Sequence, residues 1–430
     1  MTALSSQPYK GTRDYYPEDK RIQNYIFETW KKVVESFGYE EYGAPILENL
    51  EIYAAKSGQE LVNEQTYTFT DRGGRTVAIR PEMTPTISRM VAARRQELAY
   101  PARLFSIANF MRYERPQRGR EREFWQLNAD IFGVDAIAAD IEIISLSDAI
   151  LKEFGAKSGD YVIRVNNRKF IHYMMAEYLG LDSVGALQMT KLFDRRNKIT
   201  EQDFDEQALL ILGETQADAL LKVKQILEAK DVNSLPEELQ HVSALDEIRE
   251  VFEGLRGAGV DGAIFDATLM RGLDYYTGTV FEVFDTHPDN NRSLFGGGRY
   301  DGLVGLFGAE PISAVGVAPG TTMIELFLEV HGLLPENKSK TQLYIVVIGD
   351  ALNDARRVAY QLRQAGINVE VDVTDRKLDK QIKTAVKKNI SHLLFVGQQD
   401  AETGEYSLKN VDEGTEETLS PEQIIEKFQS

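Results

Sequence analysis

A change of rhythm at residues 331–341 constrains this chain more than any other feature. The segment HGLLPENKSKT is dense in Gly, Pro, Asn, Lys and Ser, the composition of a linker. After it, short apolar strands and amphipathic helices take turns. The pattern predicts a strand at 343–348, a helix at 351–365 closed by Gly366, and a strand at 367–373. A basic helix at 376–388, a strand at 392–397 and a closing helix at 422–428 follow. Such alternation makes a small α/β domain with a largely parallel sheet over 342–430.

Residues 1–330 follow another plan. An amphipathic helix is expected at 21–37, stopped by Gly38, with strand-like sequence running on to Pro45. A short strand at 76–80 ends at Pro81, and 82–98 turns helical. Residues 102–113 and 124–133 read as a long hairpin around a polar, arginine-rich loop. The stretch 171–255 is helical throughout and reads as an inserted module. Strand character returns at 262–284 and 312–317. This predicts an α+β domain, a mostly antiparallel sheet flanked by helices.

Composition then narrows the function. Hydrophobic residues make up 43 % and charged residues 27 % of the 430, the globular range. No apolar run approaches the roughly 18 residues of a membrane span, and MTALSSQPYK lacks a signal peptide's apolar core. There is no cysteine, hence no disulfide, thiolate metal site or cysteine nucleophile. A reducing, cytoplasmic setting fits. The net charge of −18 argues against a membrane-surface protein or a non-specific DNA binder. Two local patches oppose it. Residues 112–123 carry five arginines against three glutamates, and 376–388 carry six Lys/Arg against one Asp.

Several motif matches fail. GAGVDG (257–262) fits G-x-G-x-x-G but follows a helical run, so it reads as a helix C-cap and turn. No P-loop or G-x-S-x-G elbow occurs, and the five histidines are never at zinc-ligand spacing. The hairpin is more informative. Alternate strand residues share a face. One face carries Trp125, Leu127, Ala129 and Ile131, a core face. The other carries Phe124, Gln126, Asn128 and Asp130, a column of hydrogen-bonding groups headed by a ring. That column is either a solvent face or a ligand bed. The loop adds Arg112, Arg115, Arg118, Arg120 and Arg122, whose forks match phosphate oxygens. Together they favour a phosphorylated ligand. MRGLDYYTGTVFEVF (270–284) and FGGGRYDGL (295–303) add an arginine with two tyrosines, and a backbone able to approach a ligand or to bend.

These stretches, with KGTRDYYP (10–17), IRPEMTPT (79–86), MRYERPQRGREREFWQ (111–126), RGLDYYTGTVFE (271–282), GGGRYDGL (296–303) and RKLDKQIKTA (376–385), closely resemble the histidyl-tRNA synthetase family of class II aminoacyl-tRNA synthetases. The resemblance covers almost the whole chain. It implies a histidine–tRNA ligase that uses ATP with Mg2+, L-histidine and tRNA(His), with no protein motif for any other metal. Residues 1–330 would be the class II core, with the helical insertion at about 171–255. Residues 342–430 would be the anticodon-binding domain. Residues 38–48 resemble the motif that builds the class II dimer, so a homodimer is implied.

The resemblance also assigns roles. Arg112 and Arg271 would grip the α-phosphate from two sides, with Gly272 leaving room. Phe124 would stack on adenine, and Glu114 and Arg120 would contact the nucleotide. Glu82, Thr84 and Gln126 would bind the histidine ammonium, with backbone help from Met83. Asp130 and Tyr276 would read the imidazole in a pocket lined by Tyr275 and Tyr300. Gln117 and Arg118 would face the tRNA acceptor end. Arg376, Lys377, Lys380 and Lys383, with Lys387 and Lys388, would form a phosphate-facing helical stripe in the anticodon domain.

The pattern breaks in one place. The family's last class II motif ends roughly G-[FV]-x-x-G-x-E-R, and its arginine binds the ATP γ-phosphate. Here GVAPGTTM (316–323) puts Thr322 and Met323 at those positions, and no Lys or Arg occurs from 311 to 330. Glu121 is a smaller departure, at a position often aromatic. A second reading follows: a non-charging regulatory paralogue that acts with ATP phosphoribosyltransferase in histidine biosynthesis. Such paralogues generally lack the anticodon domain and erode RGLDYYTG, and this chain keeps both.

Overall fold

The period-two alternation of 102–133 becomes the spine of the first unit. In the computed structural model, which describes residues 4–54, 64–196, 199–213, 217–270, 275–290 and 292–429, strands appear in the following order. The first unit holds β1 (Glu40–Glu41), β2 (Leu47–Asn49), β3 (Thr68–Thr70), β4 (Thr76–Ile79), β5 (Ala102–Met111) and β6 (Glu123–Phe132). Then come β7 (Tyr161–Asn167), β8 (Ala263–Phe265), β9 (Thr279–Asp285), β10 (Ser293–Arg299) and β11 (Ala314–Val317). Eight of them form one sheet in the order β1-β5-β6-β11-β10-β9-β7-β8. The pairings β1·β5 and β7·β8 are parallel and the five between them antiparallel. β5 and β6 pair without a slip from Ala102↔Phe132 to Met111↔Glu123.

One face of this sheet is closed by helices Pro17–Ser36, Ala138–Glu153 and Thr321–Val330. Ile26, Trp30, Val33 and Val34 recur at helical spacing and bury against Leu127, Ala129 and Ile131, the apolar face expected of β6. Each such side chain contributes roughly 1.5–3 kcal/mol of burial. The first helix begins four residues earlier than its apolar pattern, because Pro17 suits a first turn and Glu18 and Asp19 favour the helix N-terminus. Arg299, nearly buried, is neutralised by Asp140 and donates to the Val134 and Ala136 carbonyls, which fixes β10 to the 138–153 helix.

The insertion runs as helices from Arg168 to Gly257. Phe170, Met174, Phe193, Phe204, Val223 and Ile248 build its core, which joins the sheet through Phe265 and Val280. GAGVDG is a helix end: the Ser243–Gly257 helix closes with Val260 N–H donating to the Leu255 carbonyl and Gly259 at φ +77°.

Three expectations need correction in this unit. The strand predicted at 262–284 is two strands, β8 and β9. Asp266 ends the first by accepting from the Thr268 backbone and hydroxyl, and Asn166 holds the Ala267 and Leu269 carbonyls outside the ladder. The strand-like run to Pro45 shortens to Glu40–Glu41. The helix expected over 82–98 occupies Thr84–Ala93.

The chain folds as two units, Met1–Pro335 and Glu336–Ser430, so the break falls inside the linker-like segment. The second unit has β12 (Leu343–Val347), β13 (Val369–Val371), β14 (His392–Val396), β15 (Tyr406–Asn410) and β16 (Thr415–Leu419), in the order β13-β12-β14-β15-β16. The first three are parallel and the last two add antiparallel, so the sheet is mixed rather than largely parallel. β16 (TEETL) is a polar, exposed edge strand with no apolar signal to betray it. Among the described residues, no helix is long and apolar enough to cross a membrane.

Candidate active site

The polar column on β6 opens into a cavity of about 370 Å3 in the first unit, within the range of small-ligand sites. Gln126, Asn128 and Asp130 line it, as the alternation requires. β9 contributes Phe281 and Glu282, β10 contributes Gly296 and Gly297, and β11 contributes Gly316 and Val317. The turn before the Thr84–Ala93 helix brings Glu82 and Thr84. That turn is anchored by Arg80, whose guanidinium donates to the carbonyls of Asn109 and Ala44 at 2.9 Å each. Arg112 is the one cation on the wall among the described residues, and its Nε donates to the Pro81 carbonyl at 2.9 Å.

Two hydroxyl–carboxylate pairs organise the interior. Tyr300 donates to Asp130 Oδ1 at 2.6 Å, and Tyr275 donates to Glu82 Oε2 at 3.1 Å. All three tyrosine rings meet edge to face, Tyr275 lying 5.1 Å from Tyr276 and 5.7 Å from Tyr300. Burial raises all three phenols, and the nearby carboxylates raise them further. They therefore remain donors at neutral pH. Burial also lifts the Asp130 carboxyl to about 7, a rise that the Tyr300 hydrogen bond opposes. Asp130 Oδ2 and Asn128 Oδ1 are buried without a hydrogen-bond partner among the described residues. Unmet buried acceptors favour a ligand that donates. The site has room for Asp130 only because residue 316 is glycine; a Cβ there would collide with Asp130 Oδ1.

The residues singled out from the sequence fall into groups. Glu82, Thr84, Gln126, Asp130, Tyr275, Tyr276, Tyr300 and Arg112 converge on the cavity. Asp130 receives a hydrogen bond from Tyr300, one of the two tyrosines expected to line the pocket. Met83 is not on the wall: its side chain is fully buried against Ala108, Phe110 and Phe124, so it is core. Phe124 lies off the wall as well, stacked on Phe110 at 5.7 Å with the Arg112 guanidinium 5.4 Å from its ring. Glu114 and Arg120 sit on the hairpin loop and pair with each other at 2.7 Å. Gln117 and Arg118 are exposed at the loop tip. Arg271 and Gly272 lie outside the described residues.

Sequence reasoning missed Glu282 and Gly316. A lone acid in the apolar run TVFEVF was the available signal for Glu282. For Gly316 the signal was its place as the first glycine of GVAPGTTM, although its need arises from a strand partner 186 positions earlier.

In the second unit, the basic stripe is shorter than expected. The helix spans Leu378–Lys387, so Arg376 and Lys377 precede it. Arg376 donates to the buried Asp372 carboxylate at 2.8 Å and to the Thr374 and Thr384 hydroxyls, and Lys388 pairs with Glu370. Lys377, Lys380 and Lys383 are exposed, with no ion-pair partner among the described residues.

Comparison with known proteins decides what this geometry belongs to. Residues 11–324 match the family model described as histidyl-tRNA synthetase, and residues 342–430 match the anticodon-binding domain. The chain belongs to the histidyl-tRNA synthetase family. It is 40 % identical to the histidine–tRNA ligase of Leptospira biflexa, covering 99 % of this chain and 98 % of that one. It is 38 % identical to that of Haloarcula marismortui over 94 % and 93 %. The crystal structure of histidyl-tRNA synthetase from Nostoc sp. PCC 7120 superposes with a TM-score of 0.84 at 25 % identity, covering 99 % of both chains. Curated relatives matched from end to end, anticodon domain included, leave the regulatory-paralogue reading less supported.

Within that family frame, the altered last motif has a clear local structure. Thr321, the first residue of its helix, donates to the Trp125 carbonyl at 3.3 Å, and Thr322 donates to Glu121 at 3.5 Å. The cation beside Glu121 is Arg13, but it is already held by Glu325 at 2.7 Å and lies over the Tyr15 ring. Arg13 is therefore no ready substitute for a free phosphate clamp.

Proposed function

We infer that this chain is an ATP-dependent histidine–tRNA ligase. The single observation that carries the reading is the cavity in which Asp130–Tyr300 and Glu82–Tyr275 sit beside Arg112. Histidine needs a site for a cation with three donors and a site for a ring with one donor and one acceptor. Glu82, Thr84 and Gln126 hold the ammonium. Asp130 accepts from the imidazole N–H, and a tyrosine hydroxyl donates to the other ring nitrogen. An amino acid of similar shape without those groups leaves Asp130 Oδ2 unpaired in a buried site, a basis for strong discrimination.

The histidine carboxylate attacks the ATP α-phosphorus, the α–β bond breaks, and pyrophosphate leaves. The carboxylate is already a nucleophile, so the step calls for in-line placement and charge stabilisation rather than a base. Arg112 supplies charge at the α-phosphate, joined by Arg271 according to the family resemblance. Phe124 offers its ring to adenine, and Glu114 and Arg120 exchange their mutual pair for the nucleotide. Mg2+ enters with the ATP. In the second step a terminal ribose hydroxyl of the tRNA attacks the adenylate carbonyl and AMP leaves.

Residues 1–330 form the catalytic core, with Gln117 and Arg118 toward the acceptor end. Residues 342–430 read the anticodon through Lys377, Lys380 and Lys383. The chain works in the cytoplasm as a homodimer built on 38–48. Support comes from β1 at the sheet edge, parallel to β5, with Ile46 and Leu47 exposed beside it. The test is charging of a tRNA pool with labelled histidine. Transfer of histidine, and of no other amino acid, is expected. A folded protein that binds histidine without charging any tRNA overturns the reading.

A further inference from the structure

The loop between β5 and β6 is docked rather than loose. Gly119 at its tip has φ +80°, and a Cβ there would come within 2.6 Å of Met323 Sδ and 3.6 Å of Leu326 Cδ1. The loop backbone thus lies flush on two apolar side chains of the Thr321–Val330 helix. Its flanks are tied too. Gln117 and Arg120 exchange backbone hydrogen bonds at 3.1 and 2.8 Å. Arg292 donates to Gln117 Oε1 at 3.0 Å and to the Arg118 carbonyl at 3.4 Å. Glu121 meets Thr322 and Arg13.

We propose that Met323 is a positioning residue that latches the tip of the 112–122 loop onto this helix, replacing a charged phosphate clamp with a fixed loop. An unbranched thioether fills the irregular gap against a glycine backbone. An arginine there would press a poorly solvated charge on the same surface. The loop then supplies the cations the helix lacks. Arg120 and Arg122 have partners in Glu114 and in Tyr9 and the Glu114 carbonyl. Arg115 and Arg118 have none among the described residues; with Arg118 toward the acceptor end, the docked loop keeps the Arg115 guanidinium for a phosphate oxygen of the nucleotide. The docking stands on the contacts above; its role toward ATP rests on the proposed ligase activity.

Two measurements on full-length protein test this, with Met323→Ala, Gly119→Ala and the volume-conserving Met323→Leu. The first is hydrogen exchange of residues 115–122 without substrates. Met323→Ala and Gly119→Ala should exchange about tenfold faster there, with β6 and the rest of the helix unchanged, and Met323→Leu should stay within about twofold of the parent. Loop exchange in Met323→Ala at the parent rate overturns the latch. Equal loosening of helix and β6 also overturns it, by making Met323 an ordinary packing residue. The second is histidine-dependent ATP–pyrophosphate exchange. Met323→Ala should raise KM for ATP about fivefold and leave KM for histidine unchanged; an unchanged KM for ATP overturns the link to the nucleotide. A parent protein that exchanges with no amino acid defeats the ligase reading, while the loop measurement still decides the latch.

Discussion

The cavity of the first unit and the basic segment of the second were drawn from the same kind of signal, residue types at regular spacing, and they ended differently. On β6 every second residue is carried to the same side by the pleat, so Gln126, Asn128 and Asp130 meet in one place. At 376–388 the regular spacing outruns the helix. Arg376 lies ahead of it and is taken by Asp372, and Lys388 is taken by Glu370. A strand in a register fixed over ten pairs guarantees convergence. A helix end guarantees nothing, because its residues find local partners first.

The predictions press on that contrast. The largest effect should come from Arg112→Ala, because Arg112 is the one described cation on the cavity wall. Histidine-dependent pyrophosphate exchange should fall by about 10²–10³-fold, the scale of a lost transition-state contact. A fall below tenfold would move the phosphate site elsewhere. Next comes Asp130→Asn, which removes the charge and turns one of the two acceptor oxygens, the other of which Tyr300 occupies, into a donor that faces the imidazole. The KM for histidine should rise at least about tenfold with the KM for ATP little changed. Equal changes in both would deny Asp130 a specific role.

The same variant carries a stability signature whose sign is fixed. The fold raises the Asp130 carboxyl from 3.8 to about 7. Well below pH 3.8 both states are protonated and burial carries no ionic cost. As pH rises, the unfolded chain ionises first, and the ligand-free fold loses stability until about pH 7, on the order of 4 kcal/mol in all. Asp130→Asn lacks this loss. Its melting temperature relative to the parent should therefore rise between pH 5 and pH 8, and a constant difference would contradict the buried carboxyl. The smallest effect belongs to the second unit. Lys380→Ala and Lys383→Ala should each weaken tRNA binding by about 1 kcal/mol or less and reduce its salt slope by about 1. Arg376→Ala should instead lower stability, since it strips a partner from buried Asp372. If Arg376→Ala changes the salt slope as much as Lys380→Ala does, the paired arginine and the exposed lysines do not differ in role.

What could be read beforehand follows the same physics. The hairpin, its two faces, the helical insertion and the break near 331–341 all come from patterns local to the chain. β15 and β16 escaped because β15 sends only Tyr406 and Leu408 into the core and β16 is a polar, exposed edge. The split of β8 from β9 depends on Asn166, which lies 101 positions before the first of the carbonyls it holds. Met83 was expected to help through its backbone alone, and its side chain is packed against Ala108 and Phe110. Gly316 and Gly119 matter only through what packs on them, Asp130 and Met323, and contact across such distances is invisible to spacing.

The central claim is that one cavity couples histidine recognition to ATP chemistry. ATP–pyrophosphate exchange by the unaltered protein, run against each of the standard amino acids, tests it most directly. The account predicts exchange with histidine alone, despite methionine at position 323. No exchange with histidine, or exchange with a different amino acid, would contradict it.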